Sequence, residues 1–300
     1  MPVGKSIRIY LADATVTGIR YAELVNWTGQ GIGCPRIRLN ELAKWPEASK
    51  PGVYFLFESR LSDAKSLAYI GESENVLERL TSHDRKKEFW NEVVVFTSKD
   101  ENLTKAHIKY LESALVSLSK DAARYQLENS NTPPQSSLPR ADRDAMEEFI
   151  DNIRMVLGVL GYTILEPLLP SADTEIGAEH KHAQIETNNP LRDLSFTITG
   201  LLAKGAVTDE GFVLKKGSQL AKLHSDSMPR KLVNLKAQLL AEGMLQEKAE
   251  YFVVGGDLLL SSPSYAASMV AGTSRNGLQS WKTTSGQTLK QMEDVSLQGV

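Results

Sequence analysis

Three hundred residues suffice for two medium domains, or for one domain with appendages, and for a full hydrophobic core. With 41% hydrophobic and 24% charged residues and no apolar run of about 18, the composition excludes a helical membrane protein and points to an ordinary globular chain. The net charge of −3 argues against nonspecific coating of nucleic acid, and the single cysteine, Cys34, excludes an intrachain disulfide or a cysteine zinc site.

The start "MPVGKSIRIYLADAT" has no long apolar h-region, so the expected location is the cytoplasm. Residues 1–48 read as a small β-rich unit. In "SIRIYL", Ile7, Ile9 and Leu11 alternate with Arg8 and Tyr10, the period of a half-buried strand. The loop "PEASKPG" leads into the apolar strand "GVYFLF". A second strand, "SLAYIG", ends at Gly71, and the polar "ESRLSDAK" connects the two. Ser73 is placed to cap the next helix, with Glu72 and Glu74 near its positive end and Val76, Leu77 and Leu80 as its buried stripe.

A third strand follows around 93–96, then a helix over about 104–120 with Ile108, Leu111, Leu115 and Leu118 at helical spacing. "LENSNTPPQSSLP" is a loop. The helix over about 141–160 buries Phe149, Ile150, Ile153, Leu157 and Leu160 and stops at Gly161. Residues 49–166 are therefore expected to form one α+β domain. Residues 167–193 are polar, without periodicity, and read as an exposed linker; His180 and His182 lie in it with no further ligands nearby and are expected to be solvated.

Residues 194–295 form a separate α+β module. "AVTDEGFVLKKGS" predicts a hairpin, "PRKLVNLKAQLLAEG" a helix and "EYFVVGGDLLLSS" two strands around Gly-Gly. Ser262 caps "PSYAASMVAG", and Asn276-Gly277 predicts a hairpin turn. From 195 to 290 eleven Lys/Arg face seven Asp/Glu, a local balance of +4 that allows a basic surface.

Taken singly, Tyr54 and Tyr69 are ordinary strand residues, Arg79 and His83 an ordinary helix face, and Asn129 ordinary turn chemistry. Taken in order, "GVY" at 52–54, "YIG" at 69–71, Arg79, His83, the helical Glu112 and the later Asn129 resemble the GIY-YIG nuclease family over about residues 50–130. The resemblance implies a three-stranded antiparallel sheet flanked by helices and a Mg²⁺- or Mn²⁺-dependent endonuclease. Tyr54, Tyr69, Arg79, His83, Glu112 and Asn129 would then be catalytic, with Glu112 as metal ligand. Phosphodiester hydrolysis needs an activated water, a cation on the phosphate and stabilisation of the departing oxygen. Two tyrosines at adjacent strand ends could hold the water, and Arg79 presents a planar fork to phosphate. Either tyrosine can take the proton; Tyr69 is the expected one, with Tyr54 orienting the water and His83 assisting. Gly71, Asn75 and the run Arg85, Lys86, Lys87 are expected against the substrate. One departure stands out: many members carry a lysine soon after the second tripeptide, where this chain has Glu72, Ser73 and Glu74.

"GFVLKKGS", "DLLLSSPSYAASMVAG" and "RNGLQSWKTTSGQTL" resemble a DUF4357-like module of unknown function that follows such cores in bacterial proteins. The last two also resemble small modules found with restriction and modification enzymes. Lys215, Lys216, Arg230, Lys231, Arg275 and Lys282, with Trp281 for stacking, would suit nucleic-acid contact. The expected partner is nucleic acid, DNA first, with no membrane; double-strand cutting would call for a homodimer. The competing expectations are a non-cleaving nucleic-acid-binding protein on the same fold and an interaction scaffold.

Overall fold

The computed structural model describes residues 4–58, 66–169, 191 and 193–298. Most of the connection at 58–65 and of the linker at 167–193, including His180 and His182, lies outside the described residues. The chain divides into two compact units, Met1–Ala183 and Gln184–Val300. No helix among the described residues is long and apolar enough to cross a membrane.

In unit 1 the elements run β1 (Ile7–Leu11), β2 (Arg20–Leu24), β3 (Gly29–Pro35), α1 (Leu39–Leu42), β4 (Gly52–Phe57), β5 (Leu67–Ser73), α2 (Val76–Lys86), β6 (Glu92–Ser98), α3 (Lys105–Ala122), β7 (Gln126–Leu127) and α4 (Arg140–Val159). The three antiparallel strands β6-β4-β5 are the centre of a seven-stranded sheet ordered β1-β2-β3-β6-β4-β5-β7. The β-rich N-terminal residues thus extend the sheet on one side, and β7 adds a parallel edge on the other.

Strand β4 shows why one continuous apolar run forms the middle of this sheet. Its side chains alternate between two cores: Val53, Phe55 and Phe57 pack with α3 and α4, whereas Tyr54 and Leu56 pack with α2. Strand β3, "GQGIGCP", keeps glycine where neighbours come close. A Cβ at Gly31 would lie 3.0 Å from the Phe96 ring and 3.1 Å from Val156 of α4. Helix α3 begins with a reciprocal cap, Thr104 accepting from the His107 N–H while the His107 ring accepts from the Thr104 N–H.

Unit 2 is α+β. Strands β8 (Leu194–Ile198), β9 (Leu201–Thr208) and β10 (Gly211–Leu214) precede β11 (Gln219–Ala221), α5 (Arg230–Ala241), β12 (Leu245–Glu247), β13 (Tyr251–Val254) and β14 (Leu258–Leu260). Helices α6 (Pro263–Ala271), α7 (Gly277–Ser280) and α8 (Leu289–Gln298) complete it. β9 and β10 form the expected hairpin. The strands around Gly255-Gly256 do not pair with each other: β13 joins β11 and β12, while β14 joins β10, so the glycines carry the chain between sheets. Asn276 does not open a hairpin turn either. Its side chain accepts from the Leu278 N–H and caps α7.

Trp281 is fully buried, its ring 4.5 Å from Phe212 and 5.6 Å from Phe196, and its Nε1–H donates to the Pro263 carbonyl at 2.9 Å. The expected stacking role for Trp281 is therefore corrected: the indole is the centre of this module's core and presents no face to a base. An indole offers one N–H and a large apolar surface, and a backbone carbonyl inside the core satisfies both requirements.

Candidate active site

The site begins with strand register. Tyr54 on β4 lies opposite Gly71 on β5, and Leu56 lies opposite Tyr69, so the two tyrosines project on the same face as diagonal neighbours. Their ring centroids are 6.3 Å apart. Gly71 is where the Tyr54 ring rests. A Cβ there would lie 2.5 Å from Tyr54 Cζ and 2.9 Å from Tyr69 Cε1, distances no side chain tolerates. The glycine of "YIG" is thus explained by the tyrosine of "GVY" across the ladder.

Helix α2 supplies the next groups. Its N-cap is Asn75, whose Oδ1 accepts from the Glu78 N–H at 3.2 Å. Ser73, the expected cap, instead ends β5 and bonds the Asn75 backbone. Asn75 so spends its acceptor on the helix. Val76, Leu80 and His83, spaced i, i+4, i+7, form the buried face of α2. His83 is therefore not on the exposed face with Arg79. It is 7% exposed, and its Nε2 sits 2.7 Å from the Tyr54 hydroxyl. Its ring is 5.7 Å from that of Tyr54 and 5.3 Å from that of Tyr69.

Arg79 is exposed, with its guanidinium beside the Tyr54 phenol. Lys87 crosses the Tyr69 ring with Nζ 4.3 Å from the centroid. Arg85 and Lys86 are exposed.

These neighbours set the proton affinities. Burial, then Arg79, Lys87 and Lys86, push His83 down to about 4, so it is neutral at pH 7. Burial, then the neighbouring Tyr69, raise Tyr54; burial, then Glu112, raise Tyr69. Both phenols keep their protons. Glu112, half-buried on α3, is pushed up to about 7 by burial and then by the like charge of Glu72.

Glu72 is compensated from a direction the local sequence did not suggest. Lys105, in the first turn of α3, holds both its carboxylate oxygens at 2.8 and 2.9 Å and lies 3.9 Å from Glu74. The acids after "YIG" are thus neutralised by a lysine from α3. The signal was present: Lys105 and Glu112 are seven apart, two turns along one helix face.

Asn129 is brought to the same strand but not to the phenols. Its Oδ1 accepts from the Ile70 N–H at 3.0 Å and its Nδ2 donates to the Ile70 carbonyl at 2.8 Å. It pairs β5 as a strand residue would and holds the backbone between Tyr69 and Gly71.

In unit 2, Lys216, Arg230, Lys231, Arg275 and Lys282 are exposed, while Lys215 is tied to Asp193 at 2.8 Å. Lys282 is placed by backbone bridges to Ser195 and Thr288.

As to metal, no group of three or more His, Cys, Asp or Glu among the described residues could form a protein-only cage. Mg²⁺ is usually held by one or two carboxylates, the substrate phosphate and waters. A half-buried carboxyl whose ionisation burial and Glu72 oppose would gain from a hard cation, so Glu112 fits that pattern.

No curated protein and no solved structure matches the chain. Residues 194–293 match the family described as a domain of unknown function (DUF4357).

Proposed function

We propose that the protein is a GIY-YIG-type endonuclease that hydrolyses phosphodiester bonds in nucleic acid, with DNA as the first candidate. The observation that carries this reading is the convergence of Tyr54, Tyr69, Arg79 and His83 around Gly71, with the half-buried Glu112 in electrostatic contact with both phenols. These are the residues of the motif pattern, and they come from two strands and two helices.

The Tyr54–His83 hydrogen bond supports a proton path through Tyr54. Neutral His83 with an unprotonated Nε2 accepts the Tyr54 proton while the phenol oxygen takes one from water. The tyrosine then carries no full charge, and the proton rests on His83 only transiently, because burial and then Arg79, Lys87 and Lys86 disfavour the imidazolium. Tyr69, less buried and facing Glu112, orients the water. Arg79 presents its fork to the phosphate. Glu112 would hold Mg²⁺ or Mn²⁺, which supplies charge neutralisation at the phosphate and the departing oxygen.

The reading is tested with purified protein, Mg²⁺ and end-labelled single-stranded DNA, duplex DNA and RNA, beside Glu112→Ala. Cleavage present in the wild type and absent in the variant is expected. No cleavage of any substrate would overturn it. A non-cleaving nucleic-acid-binding protein is the second reading, favoured by a Glu112 that is half protonated near pH 7. It expects metal-independent binding that survives Glu112→Ala.

Unit 2 would contribute phosphate contacts from Lys216, Arg275 and Lys282. Replacing all three by Gln should weaken binding uniformly across sequences. It should also reduce the slope of log K against log salt by about 2–3, read by fluorescence anisotropy at several salt concentrations.

A further inference from the structure

We infer that unit 1 carries a second binding site, a cleft beside α4 for a small organic cation bearing ammonium or guanidinium groups. The cleft holds about 390 Å³, within the range of small-molecule sites. It is lined from the β2–β3 loop, the end of β6, the start of α3 and α4, in the layer of unit 1 that packs on α3 and α4. It shares none of the residues assigned to cleavage.

Three observations define its chemistry. The first is a built aromatic wall. Trp27 and Phe149 lie 4.9 Å apart with planes tilted by 59°, and the indole crosses the backbone of Gly29, where any Cβ would overlap it. The second is Asn152. It is 4% exposed, its amide has no hydrogen-bond partner among the described residues, and it lines the cleft. Its polar atoms are not sealed off but open on the cavity, where a ligand can meet them.

The third is charge. Asp100, Asp142 and Glu148 line the cleft without any Lys or Arg; the basic group that lines it is His107, its Nε2 3.7 Å from Asp142. Asp100 is pre-set as an anion: the Ser98 hydroxyl donates to it at 2.6 Å, and the Asn102 backbone and amide donate at 3.3 and 2.8 Å, which hold it below the usual carboxylate range. Carboxylates only accept, so they match a ligand that only donates, and a flat or compact cation gains further from the Trp27 face. The same charges repel phosphate, which separates this cleft from any nucleic-acid track.

The test is isothermal titration of the full chain with agmatine, which carries one guanidinium and one ammonium group. Neutral 1,5-pentanediol and anionic glutarate serve as controls. Saturable binding of agmatine alone is expected. Asp100→Asn and Asn152→Ala should each weaken it about tenfold, and the exposed Glu148→Gln, which spares the fold, about threefold. Failure of agmatine to saturate in the millimolar range would overturn the inference. So would equal binding of pentanediol or glutarate, or agmatine binding unchanged in both Glu148→Gln and Asn152→Ala.

Discussion

Glu112→Gln is expected to lower Mg²⁺-dependent cleavage by about 10²–10³-fold or more, the scale of losing one main electrostatic stabiliser. The same substitution should raise the thermal stability of the metal-free protein at pH 8. In the folded state burial and then Glu72 hold Glu112 up to about 7, against 4.5 for a free glutamate. The native state therefore binds more protons than the unfolded chain between those values, and its stability falls as pH rises through that window. Above pH 7 the wild type bears the whole penalty of an ionised, half-buried carboxylate, and the neutral amide bears none. Discounted for partial solvent access, the gain is about 1–2 kcal/mol, or roughly 3–6 °C in the melting temperature of unit 1. It should vanish near pH 4.5. Calorimetry in EDTA at pH 4.5 and pH 8 checks it. A variant that is inactive and also less stable at pH 8 would mean that Glu112 is a structural group.

Much of unit 1 was legible because its signals are local. "GVYFLF" is a central strand because only a position buried on both faces takes six apolar or small residues in a row. The stop at Gly161, which adopts φ +96°, and in unit 2 the cap at Ser262 follow from chemistry within one helical turn. What escaped depends on partners distant in sequence. The sheet grew from three strands to seven because β3 pairs β6 across some sixty residues, and period alone never names a strand's neighbour. Trp281 and Lys282 are adjacent, yet one is fully buried and the other exposed, and the Asn276-Gly277 pair became a cap once Gly277 packed against the Pro263–Ser264 backbone. At the candidate site, the order of residues suggested which side chains to follow but not their contacts. His83 was read with Arg79 on an i, i+4 face, although its i, i+4, i+7 relation to Val76 and Leu80 already placed it inside. The spacing of Lys105 and Glu112 on α3 showed one helix face, but not that this face meets Glu72 of another element.

Tyr54→Phe should lower cleavage by about 10²–10⁴-fold and Tyr69→Phe by less, if the proton leaves through His83. The larger loss on Tyr69→Phe would send the proton path through Tyr69 instead. Tyr54→Phe also strands the buried His83 Nε2, at about 1–3 kcal/mol. A structural measurement can test the pair without turnover, because His83 and Glu112 bend stability in opposite directions. The folded state refuses a proton on His83 until about pH 4, while the unfolded histidine takes one near 6.5. Stability from this group is present above pH 6.5 and is lost as pH falls towards 4. Glu112 does the reverse between 7 and 4.5, since the folded state takes its proton first. Across about pH 4.5–6.5 the two slopes oppose each other and their contributions largely cancel in the wild type. Relative to wild type, Glu112→Gln should lose stability on acidification and His83→Phe should gain it, each read by urea unfolding at half-unit pH steps. Two variants with parallel curves would mean that these groups do not titrate as a buried base and a buried acid. A proton path through a neutral histidine would then lose its basis.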